Sequence, residues 1–192
     1  MARLPSDVRA TFCRVLDGDM SPTQFGRWLI ENDDLEGQMP RDDYFALLAL
    51  KYGKPGVLDK VRPILEQYVT PGELAVHTLV DLLHHTSWED EHLPDYLLDI
   101  GAYYDKGLTF LQPLVTYFTD AVRHPVVGGE ARDWDELSEF ERESILRSFG
   151  PALDAEIRPL VAALKSGEIT LYTDDNGATY TYLDRRPTLL AA

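Results

Sequence analysis

The sequence predicts a mainly α-helical protein, a multi-helix bundle of about seven to nine helices ending in a C-terminal β-hairpin. Apolar residues recur at i, i+3, i+4 and i+7 through most of the chain up to Lys165, which is the period of one helix face. Proline and glycine separate these stripes. Only residues 169–183 change character, becoming rich in β-branched and aromatic residues on either side of Asn176-Gly177, a strong short hairpin signal. An apolar fraction of 44% supports a packed core, and 192 residues suffice for one large domain or two small ones. The reading is one helical domain over 1-192, with a subdivision into 1-70 and 71-192 as the alternative.

Val8, Phe12, Val15 and Leu16 line one face of a first helix, Ser6 to Leu16, which Asp17-Gly18-Asp19 should end. Ser21-Pro22-Thr23-Gln24 then reads as a helix start. Ser21 suits the cap, Pro22 the first helical position and Gln24 the reciprocal partner of a capping box. Phe25, Trp28 and Leu29 form the expected buried face, and Asn32-Asp33-Asp34 the break. A third helix is expected over Tyr44 to Tyr52, with Leu47, Leu48 and the flanking aromatics inward and Gly53 as its stop. Val57, Leu58, Val61, Ile64, Leu65 and Tyr68 define a fourth, and Leu74, Val76, Leu79, Val80, Leu82 and Leu83 a fifth after Thr70-Pro71-Gly72.

Thr86 to Pro94 reads as a polar break. Asp95 to about Val122 forms one helix or two, with Gly101, Gly107 and Pro113 as the expected kinks. Pro125 to Asp133 is expected to be a loop, followed by helices over Leu137 to Phe149 and Pro151 to Lys165, divided at Gly150-Pro151. Residues 169–173 and 178–183 are the two hairpin strands, and Arg185 onward a frayed tail.

Thirty-three Asp and Glu against eighteen Lys and Arg give a formal charge of −15. Such a chain lacks the clustered bases that phosphate contacts require, so neither nucleic acid nor an anionic membrane is an expected partner. No run approaches the roughly 18 apolar residues of a membrane-spanning helix, and Met1-Ala2-Arg3-Leu4-Pro5 leads into no apolar segment of the kind a secretory signal carries. The single cysteine, Cys13, fits a reducing compartment, and a cytoplasmic location is expected.

No P-loop, dinucleotide fingerprint, nucleophile elbow or zincin helix is present, so neither an enzyme nor a cofactor is expected. Cys13 lies beside the apolar stripe of the first helix and reads as a structural thiol. Four of the five histidines fall between Leu74 and Pro94. His77, Asp81 and His84 or His85 share a helix face, and His92 lies within reach of the next turn. A second reading is therefore a transition-metal site, or a metalloenzyme, on His77, Asp81, His84, His85 and His92, because imidazole and carboxylate at helical spacing suit zinc or iron.

Charge placement carries more information than any motif. Between Arg62 and Arg123 there are ten acids and one base, Lys106. Helix faces ordinarily interleave both signs, as i,i+4 pairs. Here the acids have almost no local partners, and Trp88, Tyr96, Tyr103 and Tyr104 lie among them. The sequence thus predicts a surface for a basic protein over Trp88, Glu89, Asp90, Glu91, Asp95, Asp99, Tyr103 and Asp105. Charge would speed encounter with the partner and the aromatics would anchor it.

Residues 17-52 also have a familiar frame: Ser21-Pro22, Phe25, Trp28-Leu29, Asp34-Leu35-Glu36, Tyr44-Phe45, Leu47-Leu48 and Lys51-Tyr52. It resembles the helical opening of small, acidic bacterial immunity proteins of polymorphic toxin and bacteriocin systems. The resemblance covers about a fifth of the chain and rests on core and capping positions. It implies a protein that binds and blocks a cognate toxin, often a basic nuclease, with no catalytic residues of its own. A helical adaptor or assembly subunit is the third reading.

Overall fold

The structure is a computed structural model that describes residues 4–87, 89–90, 92–174 and 178–187. It is mainly α-helical with a C-terminal antiparallel hairpin, and the chain divides into two compact units, Met1–His77 and Thr78–Ala192.

In the first unit, local signals set the opening helices. Helix α1 (Ser6–Asp17) buries Val8, Phe12, Val15 and Leu16 as its spacing requires, together with Cys13. It ends at Gly18, where a φ of +98° reaches the left-handed region that glycine enters without steric cost. Helix α2 (Pro22–Glu31) starts on the expected capping box. The Gln24 backbone N–H donates to Ser21 Oγ at 3.3 Å, and the Ser21 N–H donates to Gln24 Oε1 at 2.9 Å. Ser21→Ala should cost about 1 kcal/mol, because it strands a helix-terminal donor. Urea unfolding measures this, and an unchanged midpoint would mean that water caps the helix equally well.

A 3₁₀ turn, Asp33–Gly37, follows. Helix α3 is Arg41–Leu48 rather than the expected Tyr44 to Tyr52. It begins behind Pro40 with Asp42 and Asp43 in its first turn, a polar start that apolar periodicity does not register. It stops before Gly53 because the chain turns back, so that the Tyr52 hydroxyl donates to the Leu47 carbonyl at 2.9 Å and the Tyr52 ring lies on α2 at Gly26. A Cβ at Gly26 would stand 2.5 Å from that ring. Leu47 and Tyr44 are buried, whereas Phe45 and Leu48 are exposed, contrary to their expected inward placement.

Helix α4 (Leu58–Leu65) contains Pro63. Helix α5 (Pro71–His85) opens on another capping box, Thr70 with Glu73. Phe12 is the centre of the first unit's core. It is fully buried and meets the rings of Phe25, Trp28 and Tyr68 edge-on at 6.0, 6.2 and 6.2 Å.

In the second unit, helix α6 (Leu93–Asp105) buries Leu93, Leu97, Ile100 and Gly101. Gly101 is a packing position rather than a kink. A Cβ there would lie 2.6 Å from Arg123 Nη2 and 3.0 Å from Thr119 Cγ2. The break in the expected long helix is Gly107, at φ +116°. A 3₁₀ turn (Thr109–Leu111), α7 (Gln112–Leu114), a π-helical turn (Val115–Thr119) and α8 (Asp120–Arg123) then run on in sequence. Pro113 falls in the first turn of α7, where it is tolerated. The buried Thr119 hydroxyl donates to the Leu97 carbonyl at 3.0 Å, which ties the π turn to α6.

The expected loop at residues 125–133 contains a short hairpin, β1 (Val126–Val127) with β2 (Glu130–Ala131), turning on Gly128 and Gly129 at φ +63° and +88°. Helix α9 (Glu139–Ser166) starts on a Ser138–Glu141 capping box and is interrupted at Gly150, so the division at Gly150-Pro151 holds. Hydrogen bonds from Ser138, and then Arg132, hold the Glu141 carboxyl below the usual range and keep the box charged.

Strands β3 (Ile169–Thr173) and β4 (Tyr180–Asp184) pair with Leu171 opposite Tyr182. Residues 175–177 of the predicted Asn-Gly turn lie outside the described residues. The hairpin packs on the α6–α7 connection. The Tyr180 N–H donates to the Lys106 carbonyl at 2.8 Å, and Tyr182 meets Phe110 edge-on at 4.9 Å. Pairing extends past β4, since the Arg185 N–H donates to the Glu168 carbonyl at 2.8 Å and Arg186 caps Asp184 at 2.6 Å. The start of the expected frayed tail is therefore held, and residues 188–192 lie outside the described ones. Among the described residues no helix is long and apolar enough to cross a membrane.

Candidate interaction surface

Helix α6 presents the predicted acids in a row. At 100° per residue, Asp95, Leu98, Asp99, Ala102 and Asp105 fall within one face, and all five are exposed. Leu93, Leu97 and Ile100 hold the opposite face in the core. Leu98 is 40% exposed, so the acidic row contains an apolar centre that the sequence reading did not include.

Few bases cover these acids. Asp105 lies 3.7 Å from Arg123 Nη2, Asp95 lies 3.8 Å from His92 Nδ1, and Asp99 has no ion-pair partner among the described residues. Exposed pairs of this kind contribute only about 0–1 kcal/mol. Elsewhere in the acid-rich stretch, Arg62 pairs with Glu66 at 3.5 Å and Arg9 with Glu73, both within the first unit. The second unit keeps most of the uncompensated charge.

The other predicted surface residues divide. Glu89 is exposed, and Asp90 is half-buried, accepting the His92 N–H at 2.8 Å ahead of α6. Trp88 and Glu91 lie outside the described residues. Tyr103 packs against Tyr180, ring centroids 5.7 Å apart, with Lys106 Nζ 6.0 Å above its ring. That ring helps hold the hairpin and also occupies the one base of the stretch. Tyr96 lies between His85 and His92, with centroids at 6.1 and 6.3 Å. Burial and the neighbouring Asp90 and Asp95 raise its pKa. No family model, curated protein or solved structure matches the chain.

The histidines of the metal reading take separate partners. His77 Nε2 is 3.0 Å from Asp19 Oδ2, His85 is 3.6 Å from Asp81, and His84 Nε2 is 3.3 Å from Lys165 Nζ. Burial and then the Lys165 charge lower the His84 pKa, which suits a neutral ring accepting from the ammonium. Among the described residues, one group of three metal-binding side chains has its ligand atoms within 4.8 Å of one another: Asp17, Asp19 and His77. Helical spacing alone could not supply Asp17 or Asp19, which reach His77 only through the tertiary fold. Cys13 is buried, and burial followed by the Asp17 charge raises its thiol to about 11, so it stays protonated and unreactive.

Proposed function

We propose that the protein acts in the cytoplasm by binding and neutralising a basic protein, as an immunity protein does with its toxin, and that it docks through the exposed face of α6. The acidic row Asp95, Asp99 and Asp105 around Leu98 supports this reading, because a helix face so short of bases favours a cationic partner. Charge governs encounter, and Leu98 with Ala102 supplies a contact that can be desolvated once the surfaces meet. The resemblance of residues 17-52 to immunity proteins supports the same assignment. The framework residues there build a core, and the partner surface lies on α6.

Affinity purification of the full chain from its native host, with mass spectrometry, identifies the partner, and binding kinetics then test the surface. Association should slow steeply between low and high salt, because the Debye length shortens from about 30 Å at 0.01 M to about 8 Å at 0.15 M. Asp95→Lys with Asp99→Lys should lower the association rate about tenfold or more and leave the unfolding midpoint nearly unchanged. Salt-independent association, or full affinity in the double variant, would remove this reading. A basic toxin encoded beside the gene identifies the immunity role, whereas a partner without toxic activity identifies an adaptor.

A further inference from the structure

We propose that Asp17, Asp19 and His77 form a binding site for a divalent first-row transition metal ion. Two carboxylates, Asp17 at the end of α1 and Asp19 in the turn after it, converge there with the imidazole of His77 on α5, with their ligand atoms within 4.8 Å of one another. At metal–ligand distances near 2.0–2.2 Å, tetrahedral ligands lie roughly 3.4 Å apart, so modest rotations of exposed side chains close the sphere. His77 Nε2 and Asp19 Oδ2 already lie 3.0 Å apart.

The surrounding fold holds the donors in place. Gly18 turns the chain at φ +98°, which brings Asp17 and Asp19, on either side of it, towards one point. The Met20 N–H bonds the Arg14 carbonyl at 2.9 Å, and Arg62 Nη2 bonds the Leu16 carbonyl at 3.2 Å, so the turn is anchored on both sides. On α5, Glu73 lies four residues before His77 on the same face and pairs with Arg9 of α1. That ion pair fixes α5 against α1 one turn away from the imidazole.

The donor chemistry selects the class of ion. One nitrogen and two oxygens without thiolate suit zinc, manganese, iron(II) or cobalt, and disfavour copper(I). Magnesium and calcium favour sites built from oxygen alone. Asp17 and Asp19 are exposed and His77 is half-buried, so solvent reaches the ion and completes its coordination. The site is independent of the α6 surface, and its failure would leave the partner-binding reading unchanged.

The test uses full-length protein purified without a histidine tag and stripped with chelator, then titrated calorimetrically with Zn²⁺, Mn²⁺ and Mg²⁺. One equivalent of Zn²⁺ or Mn²⁺ should bind, with Mg²⁺ much weaker. Asp17→Asn and His77→Gln should each weaken binding about tenfold or more, whereas the His84→Gln, His85→Gln double variant should bind as the unmodified chain does. Saturating metal should raise the melting temperature by about 5 °C or more in the unmodified chain and by much less in Asp17→Asn. No stoichiometric binding, binding undiminished in both Asp17→Asn and His77→Gln, or binding lost only in the His84, His85 variant would each overturn the proposal. If the single variants fail to fold, paramagnetic Mn²⁺ added to the unmodified chain reads the site directly. Selective broadening of the His77 ring resonances supports it, and broadening of His84 or His85 first refutes it.

Discussion

Gly107→Ala should destabilise the second unit by roughly 3–5 kcal/mol and release the C-terminal hairpin. Two independent effects add. At φ +116° an L-residue is strained by about 1–3 kcal/mol. The new Cβ would also stand 2.4 Å from the Tyr180 carbonyl oxygen, a backbone atom with no side-chain freedom to move aside. Relief requires displacing the start of β4, which breaks the Tyr180-to-Lys106 hydrogen bond and parts Tyr180 from Tyr103. Hydrogen exchange should show protection lost first at β3 and β4, and urea unfolding should give the total. A variant within 1 kcal/mol of the unmodified chain would mean that the connection after α6 moves freely.

Phe12→Ala should cost about 3–5 kcal/mol in the first unit. The ring is fully buried and forms the hub of three edge-to-face contacts, with Phe25, Trp28 and Tyr68. Such pairs contribute about 0.5–1.5 kcal/mol beyond the area they bury. Those partners lie on α2 and beyond α4, so the cavity has rigid aromatic walls that collapse poorly, which favours the upper half of the range. Amide exchange in α1 and α2 should accelerate by roughly two to nearly four orders of magnitude. A loss below 2 kcal/mol would show that the three rings close the gap. Phe12→Leu, which keeps most of the volume, should recover much of the stability.

Local determinants were the legible ones. The Ser21–Gln24 capping box, the stop at Gly18 and the division at Gly150-Pro151 each depend on a few adjacent residues. The capping boxes at Thr70–Glu73 and Ser138–Glu141 have the same four-residue form and could have been read from the sequence in the same way. Gly128-Gly129 is likewise a two-residue hairpin signal, hidden within what reads as a loop.

Features that depend on distant contacts were not legible. Helix α3 ends early because Tyr52 returns to Leu47 and Gly26, and Gly101 is small because Arg123 and Thr119 press on it. The proposed interaction surface was legible in its charge and less so in its apolar and aromatic residues. Acids at helical spacing located the face of α6, but only packing turns Tyr103 towards Tyr180 and leaves Leu98 outside. For the histidines, periodicity grouped His77 with its own helix. The fold instead gives it Asp19, 58 positions away in the chain.

Gly101 links packing to charge. Arg123 reaches Asp105 across a helix surface where position 101 carries no side chain, and a Cβ there would fall 2.6 Å from the guanidinium. The arginine tip is the flexible partner and would swing away, leaving Asp105 without its cation. A methyl group at residue 101 would thus behave as a charge mutation: an uncharged substitution on the buried side of α6 would make its outer face more negative. The field at the outer face of this helix is therefore adjustable from inside the protein, through a buried residue that carries no charge.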